Sequence, residues 1–340
     1  MSKHWISWFE DLGQEGNNLV GKKSANLGEM TRMGLRVPPG FALSLDAYKD
    51  FMSLTGAADE IKAHLDKSDY DFENIQHFNE VGVQLRNIVE TKELPAEMKD
   101  AILSHYRELC RRCNTHELAV SVRSAGTASH PGQYETYLNV IGESDFLDKV
   151  RKVWSSTFNP RSLSARKRAG APLETDPVGV AVVKMVNARS AGVLFTADPN
   201  TGDTSRMIIE ANWGLGESVV GGEAMPDVYI LEKEKLTLIE KKIGTKGKMV
   251  TFKDVGVAEA DTPEDKSESP CLTDEEAKEI GRLGIKLEKH FGVPQDAEWA
   301  IDNDFTCPES VILLQTRPEV IAKQKKPVDQ IVDMMLKRFG

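Results

Sequence analysis

The sequence is short of cysteine: Cys110, Cys113, Cys271 and Cys307 are the four in 340 residues. So few thiols cannot build a disulfide framework. Cys110-Arg-Arg-Cys113 has C-x-x-C spacing, but it lies in a helical pattern and no second pair follows. A structural zinc site needs four ligands, so free thiols are expected instead. Basic charge is also in deficit: 43 Lys and Arg against 53 Asp and Glu give a net charge of −10. Non-specific nucleic-acid binding needs clustered cations to displace counterions, so no nucleic-acid partner is expected. No apolar run approaches the length that crosses a bilayer. The N-terminal MSKHWISWFEDLGQEGNN has no basic stretch leading into an apolar core, so it does not read as a secretory leader. Neither a membrane partner nor a location other than the cytoplasm is expected. Internal repeats, low-complexity tracts and a G-x-x-x-x-G-K-[ST] phosphate loop are absent as well.

What is present suits a globular chain with one large domain or two lobes: 40% hydrophobic and 28% charged residues. Gly34 followed by Pro38-Pro39 closes an early helix and leads into a strand. From about 44 to 113 the pattern is helical, with apolar residues at helical spacing in Asn79 to Val89 and Ala96 to Cys110. Short apolar strands are expected at Leu118–Val122, Thr136–Val140, Val178–Val186, Gly192–Thr196 and Met207–Glu210. Asp261 to Pro270 reads as a polar loop. Thr273-Asp274-Glu275-Glu276 is a capping box opening a helix with Ile280, Leu283 and Leu287 on one stripe. A hairpin of Ala297–Ile301 with Val311–Gln315 ends the series. The fold class expected is α+β, with mainly antiparallel sheets and segregated helices.

Four segments bear groups suited to chemistry. Gly21-Lys22-Lys23 can bring an ammonium to a phosphate at a helix start, although two solvated lysines explain it equally simply. Arg123 follows an apolar strand and precedes small residues through Gly132, a setting for a planar fork on phosphate oxygens or for an ordinary turn. Trp213-Gly214-Leu215-Gly216-Glu217 sets glycines beside an acid. Asp296 and Glu298 alternate along one strand and Gln315 and Arg317 along the next, so paired strands would gather all four on one face. Carboxylates and an amide oxygen suit Mg²⁺, and a guanidinium suits polyphosphate; a cross-strand salt bridge is the plainer alternative.

In this order the segments resemble the ATP-grasp nucleotide domain of the phosphoenolpyruvate synthase and pyruvate phosphate dikinase family. GKKSANLGEM, RVPPGFALS, VRSAGTASHPGQYETYLNV, GVLFTADPNTGD, ANWGLGESVVGGEAMPD and LLQTRP carry the resemblance. It implies two lobes, at 1–185 and 186–322, with the helical insertion in the first and a helical tail at 323–340. It implies ATP and Mg²⁺ as ligands. Lys23, Arg123 and Arg317 then fall on the phosphates, and Gly132 and Thr136 fall where the family's mobile loop covers them. Glu298 and Gln315 hold the metal, with Asp296 a further candidate, and Glu217 lines the nucleotide site. Val183 stands where many synthase-like relatives carry glutamine, which leaves backbone groups at Met185 and Val186 to read the base. The loop after Arg123 is shorter than in synthases.

The family's chemistry passes the pyrophosphoryl group of ATP to a histidine in a Gly-Gly-x-Thr-x-His setting and releases AMP. His130 imitates that setting but sits within the nucleotide loop. The chain ends soon after Arg317, and its last residues, Lys323 to Gly340, space apolar side chains as an amphipathic helix. These features predict an enzyme, a dikinase-type phosphotransferase subunit working with a separate histidine-bearing subunit, similar to phenylphosphate synthase. An N-terminal fragment of a phosphoenolpyruvate synthase or dikinase, and a non-catalytic ATP sensor, are the alternatives.

Overall fold

The computed structural model describes residues 4–67, 75–127, 134–220 and 225–321. It divides into two compact units, one of Met1–Val186 with Thr251–Ala258 and the other of Asn187–Val250 with Glu259–Gly340. Each has its own sheet, and every strand pair in both sheets is antiparallel. The chain is α+β, in keeping with an ATP-grasp-like fold.

The first unit opens with β1 (Ile6–Trp8), α1 (Asn17–Val20) and α2 (Lys22–Arg32), then β2 (Gly40–Leu43). Helix α2 stops where Gly34, at φ 70°, takes the left-handed conformation that β-carbon-bearing residues avoid. Helices α3 (Leu45–Leu54), α4 (Ala57–Lys67), α5 (Ile75–Glu90) and α6 (Ala96–Arg112) follow in succession. Ser44 starts α3 by accepting from the Ala47 N–H, the usual reason for serine at a helix entrance. Then come β3 (Val120–Ala125), β4 (Thr136–Val140), α7 (Glu143–Ser155), α8 (Pro160–Arg168) and β5 (Gly179–Lys184). The strands lie in the order β1-β2-β5-β3-β4.

One face of this sheet is apolar. Phe41, Val122 and Val182 pack with Phe51, Leu85, Tyr106, Phe146 and Trp154 of the helices in a single buried core. Burying such side chains contributes roughly 1.5–3 kcal/mol each against exposure, which makes this face the main support of the unit. Helix α7 had no counterpart in the sequence reading, although Phe146, Leu147, Val150, Val153 and Trp154 mark a helical stripe.

The second unit contains β6 (Ala188–Phe195), β7 (Arg206–Trp213), α9 (Glu217–Val220), β8 (Asp227–Glu232) and β9 (Thr237–Lys242). Strands β10 (Lys248–Phe252) and β11 (Val257–Asp261) form a two-stranded sheet of their own. After α10 (Glu264–Ser267) and α11 (Asp274–Phe291) come β12 (Gln295–Asp302) and β13 (Val311–Pro318). The main sheet runs β13-β12-β6-β7-β8-β9. The capping box of Thr273 and Glu276 is formed in full. Where a polar loop was expected from Asp261 to Pro270, Pro263 precedes the short turn α10, its φ of −50° already near the helical value. Glycines 281 and 284 let α11 lie close on Leu194, Met207 and Leu231, so one face of the sheet is covered by this helix. No helix of the described residues is long and apolar enough to cross a membrane. The tail expected to be helical at 323–340 lies outside the described residues.

A fully buried ion pair organises the far end of this unit. Lys246 Nζ donates to Asp227 Oδ1 at 2.5 Å, and both side chains are 0% exposed. Asp227 also accepts from the N–H groups of Gly244 and Cys271, while Lys246 donates to the Gly244 carbonyl. The carboxylate thus ties β8 to two connecting segments. Removing one partner leaves a buried charge uncompensated, which costs about 3–5 kcal/mol, whereas an exposed pair is worth about 0–1 kcal/mol. Lys246→Met should therefore lower the unfolding free energy by about 3–5 kcal/mol in urea titrations. Lys248→Met, at the exposed pairs with Glu259 and Asp261, should leave it essentially unchanged.

Candidate functional site

In the first unit the candidate residues gather on the sheet face opposite the helical core. Arg123 pairs with Thr136 on one side and with Ala181 on the other. Neighbouring Val122 points into the core, so alternation turns Arg123 and Thr136 the other way. Helix α2 packs near β3 and β5. Its entrance is fixed by Gly21, whose φ is 81° and whose hypothetical Cβ would stand 1.9 Å from the Ala125 carbonyl oxygen. Any side chain there would push the helix off the strand end. The next N–H, of Lys22, donates to the Gly126 carbonyl at 2.8 Å. Lys23 therefore sits in the first turn of a helix docked at the end of Arg123's own strand. Lys23, Arg123 and Thr136 are all half-buried.

Val183 lies on the same face as Arg123, since Ser121, two residues before Arg123, pairs with it. It is almost fully buried and offers no side-chain hydrogen bond. The N–H of Met185 donates to the Ala119 carbonyl at 2.9 Å, so any reading of a base by Met185 falls to its own carbonyl. Val186 is buried beside it. Gly132 and His130 lie outside the described residues.

In the second unit the last two strands bring four candidates together. Asp296 pairs with Arg317, and Glu298 with Gln315. All four lie on the face away from α11, because Ala297 between them pairs with Leu194, which α11 covers. The Arg317 guanidinium grips Asp296 through Nε at 2.8 Å and Nη2 at 2.7 Å, both to Oδ2. Burial raises the Asp296 pKa, and Arg317 offsets part of that rise by favouring the charged form. Next to this pair the ladder slips: Glu298 faces Gln315, but Trp299 faces Leu313. Leu314 is the extra residue of a β-bulge. The bulge lets Leu313 join buried Trp299 while Gln315 stays with Glu298. Alternation read from the sequence put Gln315 and Arg317 on one face correctly, but nothing in Leu313-Leu314 announces the slip.

Two acids escaped the sequence reading. Glu298 pairs with Val193, and Val193 with Glu210, so Glu210 continues the row two strands along. Burial alone lifts its pKa. An acid at an alternate position of an otherwise apolar strand was the available signal. Glu217 opens α9 and is exposed. The turn before it passes over the same face, with a hypothetical Gly216 Cβ 3.6 Å from Ala191, which alternates with Val193. Asn212 pins this turn by donating to Ser218 Oγ and to the Lys248 carbonyl, both at 2.9 Å.

The family described as "Pyruvate phosphate dikinase, AMP/ATP-binding domain" matches residues 17–338. The chain belongs to that family. Among similar proteins, a probable phosphoenolpyruvate synthase of Staphylothermus marinus is 37% identical over 95% of this chain and 42% of its own length. A probable phosphoenolpyruvate synthase of Methanocaldococcus jannaschii is 36% identical over 96% of this chain and 27% of its own. The phosphoenolpyruvate synthase of Aeropyrum pernix is 35% identical over 96% and 43% respectively. The chain thus spans less than half the length of these relatives. None of them is named a phenylphosphate synthase, and the synthase alternative is better supported than the phenylphosphate synthase-like expectation.

In this dikinase-family domain Glu319 is the second acid the sequence reading missed. It follows β13 two residues after Arg317 and accepts the Ala197 N–H at 3.0 Å. Its other oxygen, Oε1, is buried without a partner. Burial first, and then the nearby charge of Asp296, pushes its pKa up to about 7, although the Ala197 bond works the other way. The folded chain therefore holds this proton more tightly than the unfolded chain. Stability from this group is present below about pH 4.5 and is lost as the pH rises to about 7. Glu319→Gln removes the titration. The variant should gain stability relative to the wild type across that window, measured as the difference in thermal midpoint at pH 5 and pH 8. A difference that stays constant with pH would contradict the assignment.

Proposed function

We propose that this chain is the Mg-ATP-binding domain of a phosphoenolpyruvate synthase-type dikinase, and that it delivers the pyrophosphoryl group of ATP to a histidine of a phosphotransfer domain or subunit. The observation that carries the reading is the register of β12 and β13, which gathers Asp296, Glu298, Gln315 and Arg317 on one face, in a chain of this family. An isolated cross-strand salt bridge accounts for Asp296 and Arg317 but not for the Glu298–Gln315 pair beside them.

The roles follow from the donor chemistry. Lys23, in the first turn of α2, and Arg123, within β3, supply cations to phosphate oxygens, and the helix N-terminus adds amide dipoles. Arg317 is a cation of the same kind on β13. Asp296 aims the Arg317 guanidinium, since both of its bonds go to that carboxylate, and its place as a metal ligand becomes secondary. Glu298 and Gln315 fit magnesium: two oxygen donors side by side on a rigid ladder, leaving the remaining positions to phosphate and water. When bound there, the ion neutralises charge on the phosphate oxygens. The domain's share of the chemistry is positioning and electrostatics. An imidazole nitrogen bonds to the β-phosphorus, the bond to the α–β bridging oxygen breaks, and AMP departs with that oxygen and its electron pair. The final acceptor is pyruvate on this reading, as the relatives' names suggest. A cytoplasmic location belongs to the same proposal.

The test is a mixing experiment with ATP labelled at the β-phosphorus, Mg²⁺, this chain and the histidine-bearing part of the system. Label should appear on the histidine with stoichiometric AMP. Arg317→Ala should slow AMP formation by about 10²–10³-fold, the usual cost of losing a donor to developing charge. Nucleotide binding without transfer would favour an ATP sensor, and an unimpaired Arg317→Ala would remove Arg317 from the site.

A further inference from the structure

Helix α5 places Arg86 against Glu135, the residue just before β4. Its guanidinium donates from Nη1 to Oε1 at 2.5 Å and from Nη2 to Oε2 at 3.0 Å. The Tyr137 hydroxyl donates to Oε2 as well. One helical turn on, Glu90 accepts from Arg86 Nε at 3.3 Å. The backbone N–H of Glu135 donates to Ser156 Oγ at 3.2 Å. Tyr134, the residue before, donates its hydroxyl to Asp176 at 2.6 Å. Both residues leading into Thr136 are thus fastened, each by its own partner. The Arg86 and Glu135 side chains are 27% and 32% exposed. A two-pronged pair at that depth fixes direction as well as distance, unlike a solvated surface pair.

The orientation of this network matters. Tyr137 pairs with Val122, whose side chain belongs to the helical core, while Thr136 pairs with Arg123 on the opposite face. Both Glu135 oxygens have donors within the protein, so the carboxylate acts on the chain and leaves ligands to the other face. Neither Arg86 nor Glu135 has a part in the phosphate chemistry above.

We infer that the Arg86–Glu135 pair is a positioning clamp, by which the helical region sets Thr136, and through the β3–β4 ladder Arg123, in the geometry that receives the nucleotide's phosphates. This rests on the nucleotide-binding reading. Two substitutions perturb the clamp gently. Glu135→Gln keeps the shape and loses the charge, and Arg86→Lys keeps the charge and loses the fork.

The test is calorimetric titration of the full chain with Mg-ATP and, separately, with adenosine, well below each variant's melting temperature. Both variants should bind ATP about tenfold more weakly or worse, the scale of a small misplacement of binding groups, with adenosine affinity unchanged. Arg86→Met should lose more ATP affinity than Arg86→Lys. Unchanged ATP affinity in both variants, or a parallel fall for ATP and adenosine, would overturn the clamp, because a general loosening of the fold does not single out phosphates. Arg123→Ala separates the two levels of the argument. If it abolishes ATP affinity while Glu135→Gln does nothing, the clamp alone fails. A wild-type chain that binds no ATP ends both.

Discussion

The pairing of β12 with β13 is the constraint on which the second unit's candidate site depends. A carboxylate, an amide oxygen and a second carboxylate have little reason to stand together beside a guanidinium unless something holds them. Here the ladder holds them. Asp296 and Arg317 face one another, Glu298 and Gln315 take the next positions, and the bulge at Leu314 turns the rest of β13 back toward the buried side. Apolar burial under α11 fixes the sheet, the sheet fixes the register, and the register fixes the polar groups. Shifting β13 by one residue would send Gln315 and Arg317 to the covered face.

The first unit solves the same problem with different parts. Its sheet is anchored by one apolar face, and the opposite face carries Arg123 and Thr136. Lys23 is brought in by a helix whose entrance depends on a glycine against the Ala125 carbonyl. The helical region from α3 to α6 is large for a supporting role, and the contact of Arg86 with Glu135 gives part of it a specific task. Lys23, Arg123, Glu298, Gln315 and Arg317 are half-buried and Asp296 is buried, which strengthens the interactions of the cations with anions and makes their placement more costly to disturb.

Much of this was legible in the sequence because the relevant signals are local. The capping box at Thr273, the glycine stop at Gly34, the strand after Leu118 and the alternation around Glu298 depend on neighbours a few residues apart. The family resemblance rested on motifs that keep their order along the chain, and the family match supports it. What escaped is what tertiary contact decides. Lys246 and Asp227 are ordinary charged residues until folding buries them together. Glu135 was part of a quoted motif, yet its partner lies 49 residues away. Leu313-Leu314 carries no mark of a bulge, and the Glu319 pKa rises because folding buries the carboxyl and sets Asp296 near it. The expectation of a phenylphosphate synthase-like subunit is less well supported than the synthase alternative, and it leaned on where the chain stops, which is not a physical property of the domain.

The central claim is that these groups receive the phosphates of Mg-ATP. A crystal structure of the chain with Mg²⁺ and a non-hydrolysable ATP analogue tests it most directly. The account predicts phosphate oxygens on Arg317, the cation on Glu298 and Gln315, and Asp296 still gripping Arg317. A nucleotide bound elsewhere, or a cation that leaves Glu298 and Gln315 untouched, would contradict it.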